Sequence, residues 1–430
     1  MEVIKMNRLD VYNSMRTEKK PEEKRPEIPA LFEELTKKLG GLLIEEKGKK
    51  VFVLRNRFKF DTNHGNVKFS DLSKLDKPNY YSILFNKDFN NSDARGSITR
   101  KFNFFDIEST GLSGGAGTKA FLVGIISIED NEIVLTQYFL PNLGSEQLFL
   151  KNIKNALFKK EKILISYNGK SYDINILKNR LIVNRLNVDD GSMDIPHFDL
   201  LHSSRKIWKG KLPDYTLQRV EKNILNFDRI YDIPGYLIPD IFSRYLRGYN
   251  VIDDLVKVFE HNRNDLLTLF GILIKQLRII ANSIEGKNQI EDEKTIDPAS
   301  ISDLLIKKEL KGEAIKLLDK FDDDPGAIRK KALLLKKESS YDESVKMFEK
   351  LAVKSRKARE KLFAFIEIAK IYEHYKKNFV KALEYTKRAT DFLRTLSYLY
   401  PDFHIYQRTY KEPLNKRMLR LEKRINKLRT

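Results

Sequence analysis

The 430-residue chain has no cysteine. This excludes a disulfide framework and every thiolate-held zinc or iron–sulfur centre, leaving oxygen ligands for any metal. It also lacks any run of the roughly 18 uninterrupted apolar residues that a membrane span needs. Its first 30 residues, MEVIKMNRLDVYNSMRTEKKPEEKRPEIPA, have no apolar centre of the kind found in signal peptides. The expectation is a cytoplasmic chain without a membrane partner. Tryptophan occurs once.

Charge and aromatics are plentiful. Charged residues make up 33% of the chain, and 26 Phe and 19 Tyr supply apolar surface for a core. The length exceeds one ordinary core and predicts two or three domains. Lys and Arg outnumber Asp and Glu by 80 to 60, and residues 301–430 carry 33 of the basic residues against 19 acidic ones. Clustered basic residues bind phosphates by releasing condensed counterions, so this excess points to a polyanionic partner as well as to solvated helix faces.

Residues 1–28 are polar and read as an arm. Residues 29–99 read as a small N-terminal module, with a short helix at Leu31–Leu39 and a β-hairpin turned at Lys47-Gly48-Lys49. From residue 100, FNFFDIEST, AFLVGIISIED and EIVLTQYFL predict three antiparallel strands. KILISYN predicts a fourth strand, Ile174–Arg185 a helix, and Val251–Ala281 a long helix, which makes residues 100–282 an α/β domain. Residues 283–300 have the composition of an acidic linker. Everything in 301–430 reads as helix, and GEAIKLLDKF, YDESVKMFEKLA and FVKALEYTKRATDFL each place a small residue (Ala314, Ser344, Ala382) ahead of an apolar helical stripe. Their spacing brackets the roughly 34-residue tetratricopeptide period. An irregular helical bundle would show much of the same pattern.

Three places carry chemistry. Asp106 and Glu108 lie two apart on a strand otherwise made of Phe and Ile, so both project from one face. Two adjacent anions repel, so either the strand end is solvated or a hard divalent cation sits between them. Asp173 follows a polar turn at the start of a helix, where a carboxylate also complements the helix dipole. His261 and Asp265 stand four apart on the long helix and share a face. Tyr167, Asn168 and Tyr172 offer stacking and hydrogen bonds to a single strand, and Lys170 and Arg263 offer phosphate contacts.

An Asp-x-Glu on a first strand, an Asp after Tyr-Asn at a helix start and a final Asp on a C-terminal helix resemble the DEDD 3'-5' exonuclease superfamily. The strings FFDIESTGLSGGAGTKAFLVG, YNGKSYD and HNRNDLL are most similar to its YprB-type ribonuclease-H-like domain, over about residues 100–280. The resemblance implies a mixed sheet with flanking helices, followed here by the tetratricopeptide-like helical region. It implies two divalent ions, Mg2+ or Mn2+: Asp106 bridging both, Glu108 and Asp265 completing one site, and Asp173 holding the other. It implies hydrolysis of single-stranded nucleic acid, DNA or RNA, from its 3' end, with Thr110, Gly111 and Leu112 lining the pocket of the terminal nucleotide. Histidine-type members place their general base five residues before the last Asp and tyrosine-type members place it four before. His261 stands at the tyrosine-type spacing, with Glu260, Asn262 and Tyr172 as other candidates for the base.

Other signals are set aside. GGAGTK lacks the spacing of a phosphate-binding loop and reads as a hairpin turn. HFDLLH, with His197, Asp199 and His202, reads as a strand or turn before a helix, and Trp208 as a buried aromatic. Two other functions stay open: a non-catalytic nucleic-acid-binding scaffold whose helical tail holds a protein partner, and a structure-specific endonuclease on the same fold.

Overall fold

The computed structural model describes residues 27–89, 97–111, 117–129, 132–186, 194–286, 294–399 and 404–428. Most of the predicted N-terminal arm and part of the predicted acidic linker lie outside the described residues. The chain folds into two compact units. One takes its described residues from 1–76, 93–201 and 217–274, and the other from 77–92, 202–216 and 275–430.

The first unit is built on a seven-stranded sheet: β1 (Leu42–Glu46), β2 (Lys49–Lys59), β3 (Phe102–Ser109), β4 (Ala120–Glu129), β5 (Glu132–Phe139), β6 (Ile163–Ser166) and β7 (His197–Asp199), in the order β1-β2-β5-β4-β3-β6-β7. The first five strands pair antiparallel, whereas β6 and β7 run parallel to β3. Positive φ at both Lys47 and Gly48 closes β1 onto β2 with a tight turn whose twist suits a hairpin. β2 pairs with β5 from Phe52↔Phe139 to Lys59↔Glu132, so the hairpin extends the same sheet.

Alternation along β3 separates the two faces. Phe105 and Ile107 join a buried cluster with Leu148, Phe149 and Ile153 of α2 (Glu146–Leu157) and Ile176, Leu177 and Leu181 of α3 (Asp173–Val183). Asn103 donates from Nδ2 to the Ala156 carbonyl on this side. A bidentate, buried Arg180–Glu146 pair (2.6 and 2.7 Å) joins α3 to α2, and Lys119 adds a third contact at 2.9 Å. The other face carries Phe104, Asp106 and Glu108 and is crossed by α5 (Ile252–Glu285), with Phe104 meeting Phe270 edge-on at 5.2 Å. Ahead of these two helices come α1 (Ile28–Leu39), at the N-terminus, and α4 (Ile238–Leu246), leading into α5. Among the described residues α5 is one helix long and apolar enough to cross a membrane, but 89% of its apolar window is buried inside the protein, as in a core helix.

Gly124 sets how closely α5 approaches. It pairs with Asp106 on one side and Gln137 on the other. A Cβ there would stand 2.2 Å from Asn262 Oδ1 and 2.3 Å from Leu266 Cδ1. Only a residue without a side chain lets the helix lie this close to the strand.

The second unit is helical: α6 (Pro298–Ile306), α7 (Lys311–Lys320), α8 (Pro325–Lys337), α9 (Tyr341–Lys354), α10 (Ala358–Lys370), α11 (Phe379–Leu399) and α12 (His404–Lys427), each packed on the next. The small residues singled out in the sequence, Ala314, Ser344 and Ala382, are fully buried. Ser344 donates to the Ala332 carbonyl at 2.8 Å across the α8–α9 contact. Trp208, also in this unit, is fully buried.

Candidate active site

All four predicted carboxylates belong to the first unit. Asp106 and Glu108, half-buried, project from β3 toward α5. Asn262 of α5 donates from Nδ2 to Asp106 Oδ2 at 2.8 Å, and its own Oδ1 accepts from Gln137 Nε2 at 2.9 Å. Gln137 also donates to the Phe259 carbonyl at 2.9 Å. These bonds lock the helix to β3 and β5, with β4 between them, directly behind Asp106.

One turn along α5, His261 Nε2 lies 3.5 Å from Asp265 Oδ2, as the four-residue spacing requires. Ligand atoms of Glu108, His261 and Asp265 all lie within 4.8 Å of one another, close enough to hold one ion. His261 Nδ1 is bonded to both oxygens of Asp232, at 2.9 and 3.0 Å, which leaves Nε2 facing the site.

Asp173 opens α3 and is buried. The turn before it is held by Asp199, whose carboxylate accepts the backbone N–H groups of Asn168 (2.8 Å), Lys170 (3.2 Å) and Leu201 (3.0 Å). Gly169 permits the tight fit, since a Cβ there would lie 2.6 Å from Asp173 Oδ2. His197 and Asp199 thus sit on a strand ahead of the helix Leu200–Ile207, as the sequence suggested, and Asp199 organises the turn that presents Asp173.

Electrostatics tie the acids together. Burial, then the charges of Asp265 and Asp173, push Asp106 well above the usual carboxylate range, against the opposing influence of His261 and Asn262. Glu108 is pushed up by burial and by Asp106, Asp265, Asp173 and Asp232. Burial, with Asp199 and Asp265, raises Asp173 to about 8. Burial disfavours a charged His261, but the Asp232 hydrogen bond and the Asp265 and Asp232 charges outweigh it, so its pKa is raised. Such mutual repulsion in a desolvated recess is relieved by a bound cation.

The structure adds residues that the sequence reading missed. Arg229, 6% exposed, binds Asp265 Oδ1 at 2.5 Å, Asp232 at 3.1 Å and Glu221 at 2.7 Å. Glu221 also accepts from Thr268, which meets His64 Nε2 at 2.8 Å. Residues of the N-terminal 29–99 region therefore brace the network behind the site. No local motif ties these groups to the site, because Asp265 and His261, which they meet there, are distant in sequence.

The remaining candidates divide. Thr110 closes the neck of the β3–β4 connection, its N–H donating to the Lys119 carbonyl and its Oγ1 accepting from Lys119 N. Gly111 offers its carbonyl to Ser109 Oγ (2.8 Å) and to the Tyr172 hydroxyl. Tyr172 packs against the core, so the structure uses it to tether this connection to the turn before Asp173. Leu112 lies outside the described residues. Asn168 and Lys170 are exposed, while Tyr167 and Arg263 are half-buried. Glu260 is exposed, and Asn262 is fully buried and committed to Asp106 and Gln137.

The model of the RNase_H superfamily matches residues 103–276. The Bacillus subtilis (strain 168) protein YprB, itself described as uncharacterized, is 32% identical over 340 residues, covering 76% of this chain and 77% of its own. Among solved structures, E. coli exonuclease I in complex with a dT13 oligonucleotide is 16% identical with a TM-score of 0.25, covering 39% of this chain and 45% of that one, so the match spans under half of that structure. Exonuclease I in complex with the inhibitor BCBP is 14% identical with a TM-score of 0.25, over 75% of this chain and 99% of that one.

Proposed function

We propose that this chain, which belongs to the RNase H superfamily as a relative of YprB, is a metal-dependent nuclease that trims single-stranded nucleic acid from its 3' end. One observation carries this reading. Asp106, Glu108, Asp173 and Asp265 converge from a strand and two helices, and burial together with mutual repulsion perturbs the first three. Among the described residues the positive groups facing them are Arg229 and His261. The four carboxylates offer oxygen donors alone, which suits Mg2+ or Mn2+.

Asp106, Glu108 and Asp265 would hold one ion, and Asp106 and Asp173 would hold a second. When bound, such ions supply acidity to an attacking water and positive charge for the leaving 3' oxygen. The protein's own part is positioning and proton transfer. Asp232 holds the His261 ring by Nδ1, so Nε2 is the atom left to accept a proton from water, and Asp232 stabilises the resulting imidazolium. Asn262, donating to Asp106 Oδ2, fixes the orientation of the Asp106 carboxylate.

The 3' polarity and the preference for a single strand follow the resemblance to DEDD exonucleases. A cytoplasmic location fits the cysteine-free composition, and the tetratricopeptide-like helices of the second unit suit a protein partner. A second reading has one observation in its favour. Arg229 already neutralises Asp265 Oδ1, as it would in a scaffold that binds nucleic acid without cutting it.

The test is degradation of 5'-labelled single-stranded DNA and RNA in Mg2+ or Mn2+, comparing the native protein with Asp106→Ala and with an EDTA control. A metal-dependent ladder shortening from the 3' end, absent in the variant, is expected. Loss of every product with both metals and both sugars, alongside retained salt-sensitive binding, would favour the scaffold.

A further inference from the structure

The connection between Asn226 and Leu237 carries two side chains that the site described above does not use. Ile230 is 79% and Tyr231 91% exposed, the two most exposed large hydrophobic residues among those described. An exposed aromatic on a loose loop would need no explanation, but these two sit between anchors. Arg229, on one side, is 6% exposed and bound to Asp265, Asp232 and Glu221. Asp232, on the other, is bonded to His261.

Adjacent Cα atoms are about 3.8 Å apart, so Ile230 and Tyr231 each lie one residue from a group that touches the candidate site. Four residues further on the same connection returns to the site, where a Cβ on Gly235 would lie 3.9 Å from His261 Nε2. Tyr231 also adopts φ +59, a left-handed conformation that bulky residues seldom take. The backbone is thus held in an unfavourable state that turns an aromatic ring outward beside buried carboxylates, and strain of this kind gathers at functional sites.

We propose that Ile230 and Tyr231 form a stacking platform for an unpaired nucleobase at the rim of the carboxylate site. The inference rests on the nuclease reading and adds to it the means of selecting a single strand. Every base has an apolar face, so the platform takes any sequence but requires the base to be unpaired. The charged groups beside it, Arg229 and Asp232, are committed to Asp265 and His261, so the platform binds through ring contact and not through phosphate.

The experiment uses the full chain carrying Asp106→Asn, so that the oligonucleotide is not cut, with single-stranded DNA and RNA bearing 2-aminopurine at the last or penultimate 3' position. Quenching of the base reports stacking, and titration reports affinity. Tyr231→Ala is expected to weaken binding roughly tenfold and abolish the quench. Tyr231→Phe should retain both, and Tyr231→Gly, which relieves the left-handed strain, should behave as the alanine variant does. The slope of log affinity against log salt should be unchanged, since no phosphate contact is lost. Unaltered affinity and quench in Tyr231→Ala, with binding otherwise intact, would overturn the platform alone. Failure of the parent to bind either oligonucleotide would overturn the nuclease reading and the platform with it.

Discussion

Replacing Gly124 by Ala tests the geometry of the site without touching a charged group. The added Cβ would stand 2.2 Å from Asn262 Oδ1 and 2.3 Å from Leu266 Cδ1, both on α5. Ordinary contact with these atoms needs about 3.4 to 4.0 Å, so α5 must retreat from the sheet by at least roughly 1 Å or Asn262 must abandon its bonds to Asp106 and Gln137. Overpacking of this kind costs about 1–3 kcal/mol, which denaturant unfolding resolves. The larger effect falls on chemistry, because His261 and Asp265 ride on α5 while Asp106 and Glu108 stay on the sheet. A displacement of ~1 Å at a reacting centre costs on the order of a hundredfold in rate. The expected result is a folded protein with modestly reduced stability, weakened divalent-metal binding and a nuclease rate down by about two orders of magnitude. Native stability together with native metal affinity would refute the claim that Gly124 sets the spacing between strand and helix.

Two further outcomes follow from buried charge. Burial lowers the pKa of His197 from 6.5 to about 4, so between those values the unfolded imidazole is protonated and the folded one is not. The unfolded state then binds the extra proton, and stability should fall by up to about 3 kcal/mol as pH drops through that window. His197→Gln should flatten this slope in unfolding measured from pH 7 to 4, and an unchanged slope would refute the assignment. Arg229→Ala leaves Glu221, Asp232 and Asp265 facing one another without their guanidinium, and Glu221 is only 1% exposed. A loss of about 3–5 kcal/mol is expected in urea unfolding. Arg229→Lys should recover only part of it, since an ammonium cannot reproduce the planar fork, and a loss below about 1 kcal/mol would count against the network.

The candidate carboxylates could be singled out in the sequence because they belong to local patterns. Asp106 and Glu108 share a face by the two-residue period of a strand, and the partners opposite them, Gly124 and Leu122, follow from one hairpin. His261 and Asp265 share a face by the period of a helix, and their 3.5 Å approach needs no other element. Tyr172, offered in the sequence as a stacking and hydrogen-bonding residue, donates its hydroxyl to the Gly111 carbonyl 61 residues away, a partner that no local pattern shows. Arg229 and Asp232 could not be found at all. They sit in an irregular stretch, and their partners Asp265 and His261 lie 36 and 29 residues along the chain.

Local sequence was enough to place the strands, the helices and the side chains that share a face, because those follow from steric preferences and periodicities within a few residues. It also supplied the four candidate carboxylates and no thiol, which leaves oxygen ligands for any metal. Three features came from the folded chain instead: the N-terminal hairpin joins the main sheet through β2 and β5, α5 lies against Gly124, and Arg229 meets Asp265. Those contacts join segments far apart in the chain. They form where burying apolar surface and pairing buried charge offset the entropy of closing the loops between them, a balance that no short window of residues records.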